Sequence, residues 1–169
     1  MSVYYAFEQP VVIARPFNTY GPQQSARAVI PTIISQIASG NGKIRIGDLS
    51  TTRDFTYVED TCRGFIAIAE MEGGVGEVFH NGSNTEIAVG DLMQLVADVM
   101  GHQVLPVVES QRLRPKDSEV MRLVCDNTKL REATGFTPRV SLREGIARTA
   151  HWFKDRRNLS KCKEHAYNV

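Results

Sequence analysis

The 169-residue chain is poor in the residues that mark several common kinds of site. It has three cysteines, Cys62, Cys125 and Cys162, with no CxxC pair among them. An odd count at wide spacing argues against a disulfide framework and points to a reducing, cytoplasmic setting. His80, His102, His151 and His165 are equally scattered and form neither HxxxH nor HExxH, so no metal site is expected. Twenty basic and nineteen acidic residues leave a net charge of +1, which gives no footprint for nucleic acid or an anionic membrane. No apolar run is long enough to span a bilayer. Residues 1–9 show neither the basic nor the apolar region of a secretory leader. Two catalytic fingerprints are also missing. No GxSxG elbow is present, and neither Gly40-Asn41-Gly42 nor Gly73-Gly74-Val75-Gly76 stands at a strand-to-helix turn, where a dinucleotide cradle needs its glycines.

What remains is an ordinary globular composition, 42% hydrophobic and 23% charged, with enough length for one domain with a real core. "MSVYYAFEQ" reads as the last turns of a helix stopped by Pro10. "VVIAR" follows as a β-branched run without alternation, the pattern of a parallel strand covered on both faces, so neighbours are expected on both sides. Residues 26–39 place Val29, Ile30, Ile33, Ile34 and Ile37 at helical spacing, with Pro31 near the first turn. "KIRIG" reads as a strand. Glu59 to Met71 reads as a helix with Val58, Cys62, Phe65, Ile66 and Ala69 as its apolar stripe. "EVFHNG" and "QVLPVVE" read as strands flanking a helix that ends at Gly101. Asp126 or Asn127 caps a short helix ending at Gly135, and Ser141 with Glu144 forms a capping box for a final helix. Helices alternating with strands give an α/β class.

Four polar clusters fall at strand ends or in loops: Arg15 to Tyr20, Arg53-Asp54, Asn81 to Asn84, and Arg112 to Asp117. Open α/β sheets bind ligands at such ends. Arginine's planar fork suits a diphosphate, and an aspartate suits sugar hydroxyls. Three of the clusters also have a plain structural reading. Arg53-Asp54 fits a surface ion pair worth under about 1 kcal/mol, Asn18 fits a turn held by its own side chain, and Arg114 fits a solvated loop.

"RPFNTYGP", "VIPTIISQIASG", "RDFTYVEDTCRGF", "FHNGSN" and "RPKDSEV", in that order, resemble the extended short-chain dehydrogenase/reductases. More closely they resemble NAD-dependent nucleotide-sugar epimerases and 4,6-dehydratases, nearest to UDP-N-acetylglucosamine 4,6-dehydratase-like members. The resemblance runs from Ser2 to near Phe153. It implies a partial extended Rossmann-type fold: the last sheet strands plus a small C-terminal substrate-binding lobe. Residues 1–25 and 53–82 would be the sheet remnant, 26–52 and 83–155 the lobe, and 156–169 a frayed tail.

The resemblance also implies roles. Asn18, Arg53 and Arg114 match the groups that hold the diphosphate of a UDP- or TDP-sugar. Asp117 matches a ribose-binding carboxylate and Asn81 a position near the nucleotide. Pro16 and Phe17 match the loop that approaches the nicotinamide. Ile30, Pro31, Ile44 and Ile46 match the wall of the base pocket or serve as core, with core preferred for Ile44. NAD belongs to the parent family. The chain lacks the family's GxxGxxG turn and its Tyr-x-x-x-Lys pair: Tyr4 is followed four places on by Glu8, and Tyr5 by Gln9. NAD is therefore not expected to bind this chain alone, no catalytic residue is assigned, and the sequence reads as about the second half of such an enzyme. An orphan strand at residues 11–15 would favour self-association, or pairing with a chain that carries the missing half.

Overall fold

The computed structural model describes residues 2–113 and 118–159. Arg114 and Asp117 lie outside the described residues. A short helix, α1 (Ser2–Phe7), ends ahead of Pro10. Strand β1 (Ile13–Pro16) and strand β2 (Asn18–Tyr20) follow, each finding its partner far along the chain. β1 runs parallel to β6 (Val78–Asn81), with Ile13 opposite Val78, and β2 runs parallel to β5 (Phe55–Tyr57), with Asn18 opposite Phe55. Parallel pairs need long crossovers. The β2–β5 crossover carries α2 (Val29–Ala38), β3 (Lys43–Ile46) and β4 (Thr52–Arg53). The helix α3 (Val58–Glu70) leads into β6.

Beyond β6 come β7 (Ile87–Ala88), α4 (Val89–Met100) and β8 (Leu105–Val108). A 3-10 turn at Ser110–Arg112 leads towards β9 (Arg122–Leu123), α5 (Thr128–Thr134), α6 (Leu142–Phe153) and α7 (Arg156–Leu159). β8 pairs in parallel with β3, and β4 lies between antiparallel β7 and parallel β9.

The larger core is a stack of helices. Ile30, Ile33, Ile34 and Ile37 of α2 are buried against Leu92 and Val96 of α4 and Ile146 and Phe153 of α6, with Ile44 and Ile46 of β3 closing one side. Burying each such side chain stabilises by about 1.5–3 kcal/mol before entropy is counted. Pro31 sits in the first turn of α2, where the missing N–H costs nothing. A second cluster, Ile68, Phe79, Leu130 and Phe136, joins α3, β6 and α5.

Gly145 lets α6 reach this core, because a Cβ there would stand 2.1 Å from the Tyr20 hydroxyl. That hydroxyl donates to Leu142 O at 3.2 Å, and burial pushes the phenol above its ordinary range. The capping box of α6 is half made. Ser141 Oγ accepts from Glu144 N–H at 3.2 Å, but the Glu144 carboxylate turns to Arg148.

Two expectations need correction. β1 was expected to be covered on both faces with a neighbour on each side; among the described residues it pairs with β6 alone, and Arg15 and Pro16 are exposed. The apolar stripe expected to bury α3 faces outward. Cys62, Phe65, Ile66 and Ala69 are exposed, while Asp60, Thr61, Gly64 and Ile68 face inward. Two side chains select that face. Asn81 lies over Gly64 so closely that a Cβ there would come within 2.4 Å of its amide. The buried Asp60 carboxylate accepts the backbone N–H groups of Arg139 at 3.0 Å and Val140 at 2.8 Å.

Candidate functional site

An open cleft of about 510 Å³ lies where β2, the start of α2, the β3–β4 loop and the segment before β9 meet. Its volume falls within the range of small-molecule sites, roughly 300–1,000 Å³. The β2 end supplies Asn18, and the turn into α2 supplies Gln24 and Arg27. The distal segments supply Arg53, Arg112 and Glu119. Val29, Ile30 and Ile46 provide an apolar wall.

Asn18 reaches the cleft because β2 pairs with β5. Its Nδ2 donates to the Asp54 carbonyl at 2.8 Å, which leaves a second N–H on the same nitrogen. Arg53 is held firmly. Its Nη1 donates to Thr52 O at 2.8 Å and Val120 O at 2.7 Å, and its Nη2 to Glu119 Oε1 at 2.8 Å. Arg112 enters because Gly47 has no side chain: a Cβ there would lie 2.7 Å from Arg112 O. Its Nε donates to Glu109 at 2.7 Å, which holds the Glu109 carboxyl below its ordinary range. The Arg27 side chain has no hydrogen-bond or ion-pair partner among the described residues and is exposed at the cleft mouth. Asp48 also lines the cleft, and the Ser50 hydroxyl and amide hold its carboxyl low.

Arg53 and Asp54 do not form the ion pair their adjacency suggests. Asp54 is fully buried. Its Oδ1 accepts from Ser83 N at 3.0 Å and Ser83 Oγ at 2.7 Å. Its Oδ2 accepts from Asn84 N at 2.9 Å and Cys125 N at 3.1 Å. It therefore ties the loop after β6 and the turn before α5 to the strand that carries Arg53. Burial next to this carboxylate pushes the Cys125 thiol up to about 12.

Among the residues singled out from sequence, Asn18 and Arg53 share the cleft. Asn81 does not line it: the side chain is fully buried and donates to Thr61 O at 2.8 Å, so its amide packs α3 onto β6. Pro16 is exposed and Phe17 stacks edge-on against His80, and neither lines the cleft. Ile30 and Ile46 line it, whereas Ile44 is core. Sequence reasoning missed Gln24, Arg27 and Glu119 and passed over Arg112 in favour of Arg114. The usable signals were the polar run between Pro22 and Ala28 and the acid directly after the "RPKDS" cluster.

A family model described as GDP-mannose 4,6 dehydratase matches residues 1–149. The chain belongs to this family. The resemblance read from the five motifs is the family found. Among curated relatives of this GDP-mannose 4,6-dehydratase family member, a UDP-glucose 4-epimerase of Mycolicibacterium smegmatis is 33% identical over 144 residues, covering 83% of this chain and 44% of its own length. A dTDP-glucose 4,6-dehydratase of Streptomyces antibioticus is 31% identical over 150 residues, 87% of this chain and 43% of its own. The solved UDP-glucuronic acid 4-epimerase from Bacillus cereus, in complex with UDP-glucuronic acid and NAD, superposes with a TM-score of 0.80 at 27% identity, covering 89% of this chain and 47% of that one. A dTDP-glucose 4,6-dehydratase from Bacillus anthracis shares the fold with a TM-score of 0.82 at 23% identity. The arrangement is thus the α/β, Rossmann-type fold of these enzymes, and the chain spans about half the length of the relatives it matches.

Both of these solved structures hold NAD. Among the described residues, no positive-φ glycine stands at a strand-to-helix turn where it could cradle a dinucleotide. The glycines with positive φ, Gly40, Gly73, Gly76, Gly101 and Gly135, follow helices or precede β6. At the β7–α4 junction, the Val89 and Gly90 N–H groups already donate to Thr51 O and Leu49 O. The β5–α3 junction passes from Tyr57 to Val58 without a glycine. No helix among the described residues is long and apolar enough to cross a membrane.

Proposed function

We propose that this chain is the nucleotide-sugar-binding portion of an NAD-dependent sugar epimerase or 4,6-dehydratase, with a UDP- or TDP-sugar as ligand. The convergence of Asn18, Arg27, Arg53 and Arg112 from separate segments on one cleft carries this reading. A diphosphate needs several fixed N–H donors around one point, and each charge-assisted bond contributes about 1.5–3 kcal/mol once water is excluded. Arg53, with the second N–H of Asn18, takes the diphosphate. Arg27 makes first contact with the anion because no carboxylate among the described residues neutralises it. The Val29, Ile30 and Ile46 wall offers apolar area to the base, and Asp48 offers an acceptor for ribose hydroxyls. Arg114 and Asp117 are assigned from the motif as a second phosphate arginine and a ribose acceptor. Asn81 is left out of the binding set because it is fully buried and does not line the cleft. The sheet remnant at residues 1–25 and 53–82 presents Asn18, while Arg53 stands on β4 in the ladder with β7 and β9 of the lobe at 26–52 and 83–155.

Calorimetric titration of the 169-residue chain with UDP, dTDP-glucose and UDP-N-acetylglucosamine tests this. Binding that falls about tenfold or more in R53A and N18A is expected. Absence of binding by every nucleotide defeats the reading. With neither a dinucleotide turn nor Tyr-x-x-x-Lys, the chain alone is expected to show no 4,6-dehydratase turnover; measured turnover would overturn that part.

A second reading concerns association. The open edge of β1, the outward stripe Phe65 and Ile66 on α3, and exposed Tyr5 and Phe7 leave a sheet edge and large apolar side chains uncovered. Unpaired strand edges and contiguous apolar patches are covered by partners. The chain is expected to self-associate, or to pair with a chain carrying the remaining half of the fold. Sedimentation that returns a clean monomer with F65S/I66S indistinguishable from wild type refutes this.

A further inference from the structure

Resting on the diphosphate reading above, we infer that Glu119 is a built-in stand-in for the ligand's anion. It occupies the arm of Arg53 that faces the cleft, and a bound diphosphate must displace it. The division of labour within the Arg53 guanidinium carries the inference. Nη1 is committed to the fold, donating to the carbonyls of Thr52 and Val120 at 2.8 and 2.7 Å. Nη2 donates to Glu119 Oε1 at 2.8 Å, and both side chains line the cleft. The pair is largely withdrawn from water, with 16% of the Arg53 side chain and 15% of the Glu119 side chain exposed.

The β4–β9 ladder fixes Arg53 independently of that carboxylate. Thr52 N–H donates to Met121 O at 2.8 Å and Asp54 N–H to Leu123 O at 2.9 Å. Removing the Glu119 charge therefore leaves Arg53 in place and frees one donor. A carboxylate in this position sets specificity as well as affinity. An uncharged nucleoside gains nothing from displacing it, whereas a doubly charged diphosphate replaces one carboxylate bond with stronger contacts to Arg53 and the unpaired Arg27. Glu119 thus acts as a specificity-determining residue through Arg53.

The test is calorimetric titration of wild type, E119Q, E119A and the double variant E119Q/R53A with UDP and with uridine. Thermal unfolding confirms that each variant is folded. The expected result is UDP bound about tenfold or more tightly by E119Q, the same direction in E119A, uridine affinity unchanged, and the gain lost in E119Q/R53A. UDP binding unchanged or weakened in folded E119Q and E119A, with wild type binding UDP, overturns the inference and leaves the cleft assignment standing. An equal gain for uridine overturns it as well, since the effect then has nothing to do with an anion. If no variant binds either probe, the nucleotide reading falls and this inference falls with it.

Discussion

Replacing Asp54 with asparagine exchanges one carboxylate oxygen for an NH2 group and asks how far one buried carboxylate holds the site together. The carboxylate is fully buried and accepts four hydrogen bonds, from Ser83 N, Ser83 Oγ, Asn84 N and Cys125 N. An amide offers one oxygen and one NH2 group. Turned one way, its NH2 faces the N–H groups of Asn84 and Cys125; turned the other way, it faces the Ser83 N–H and hydroxyl. The hydroxyl can rotate to accept, but the N–H cannot. At least one backbone donor is left opposed, and the surviving bonds lose the charge that strengthened them. One forfeited charge-assisted bond at about 1.5–3 kcal/mol, with about 1–3 kcal/mol for the buried N–H left unsatisfied, gives a loss of about 2.5–6 kcal/mol. That is a large part of a typical domain stability of about 5–15 kcal/mol. Urea unfolding followed by circular dichroism reads the change as a lower midpoint at constant slope. Hydrogen exchange at the Asn84 and Cys125 amides should accelerate more than exchange in α2, which makes no contact with this carboxylate. A loss below about 1 kcal/mol at unchanged slope would refute the assignment of Asp54 as the tie between these loops.

G145A places a Cβ 2.1 Å from the Tyr20 hydroxyl, so it should lower stability by about 1–3 kcal/mol despite alanine's better helix propensity, and Y20F should recover part of that loss in a double-mutant cycle. S141A removes the oxygen that accepts from Glu144 N–H and should cost about 1 kcal/mol by chemical denaturation; no change would mean that the cap is satisfied by water. The Cys125 thiol, raised from 9.0 to about 12, favours the folded state fully below pH 9, and that contribution erodes as pH climbs towards 12 because the unfolded chain ionises first. In the native protein Cys62, which is exposed, should therefore alkylate at pH 8 while Cys125 stays protected, and equal labelling of both by mass spectrometry would contradict its burial.

The helices were legible because their signals are local. Isoleucines at helical spacing mark α2 and Ser141 marks the start of α6, while Gly101 and Gly135 with φ of 74° and 70° mark helix ends. Five short motifs in order marked the family. For α3 the same periodicity located the helix but not the face it buries. The exposed stripe is the more apolar one, and the buried face is chosen by Asn81 on Gly64 and by the bonds to Asp60 from the chain before α6.

The cleft was legible only in part. Asn18 and Arg53 stand in recognisable motifs, but Arg53's carboxylate partner lies 66 residues away in sequence, and the Cys125 amide bonded to Asp54 lies 71 away. No local pattern encodes such pairings, because they form only when the stacked α2, α4 and α6 and the β4–β9 ladder bring distant segments within 3 Å of one another. Residue order alone thus determined where the helices form and which family the chain belongs to, since spacing and capping act within one or two turns. Tertiary packing decided which carboxylate answers which arginine, that Asn81 is a packing group, and that Arg27 is left facing the cleft, since hydrogen-bond direction is set by neighbours that only the folded chain supplies.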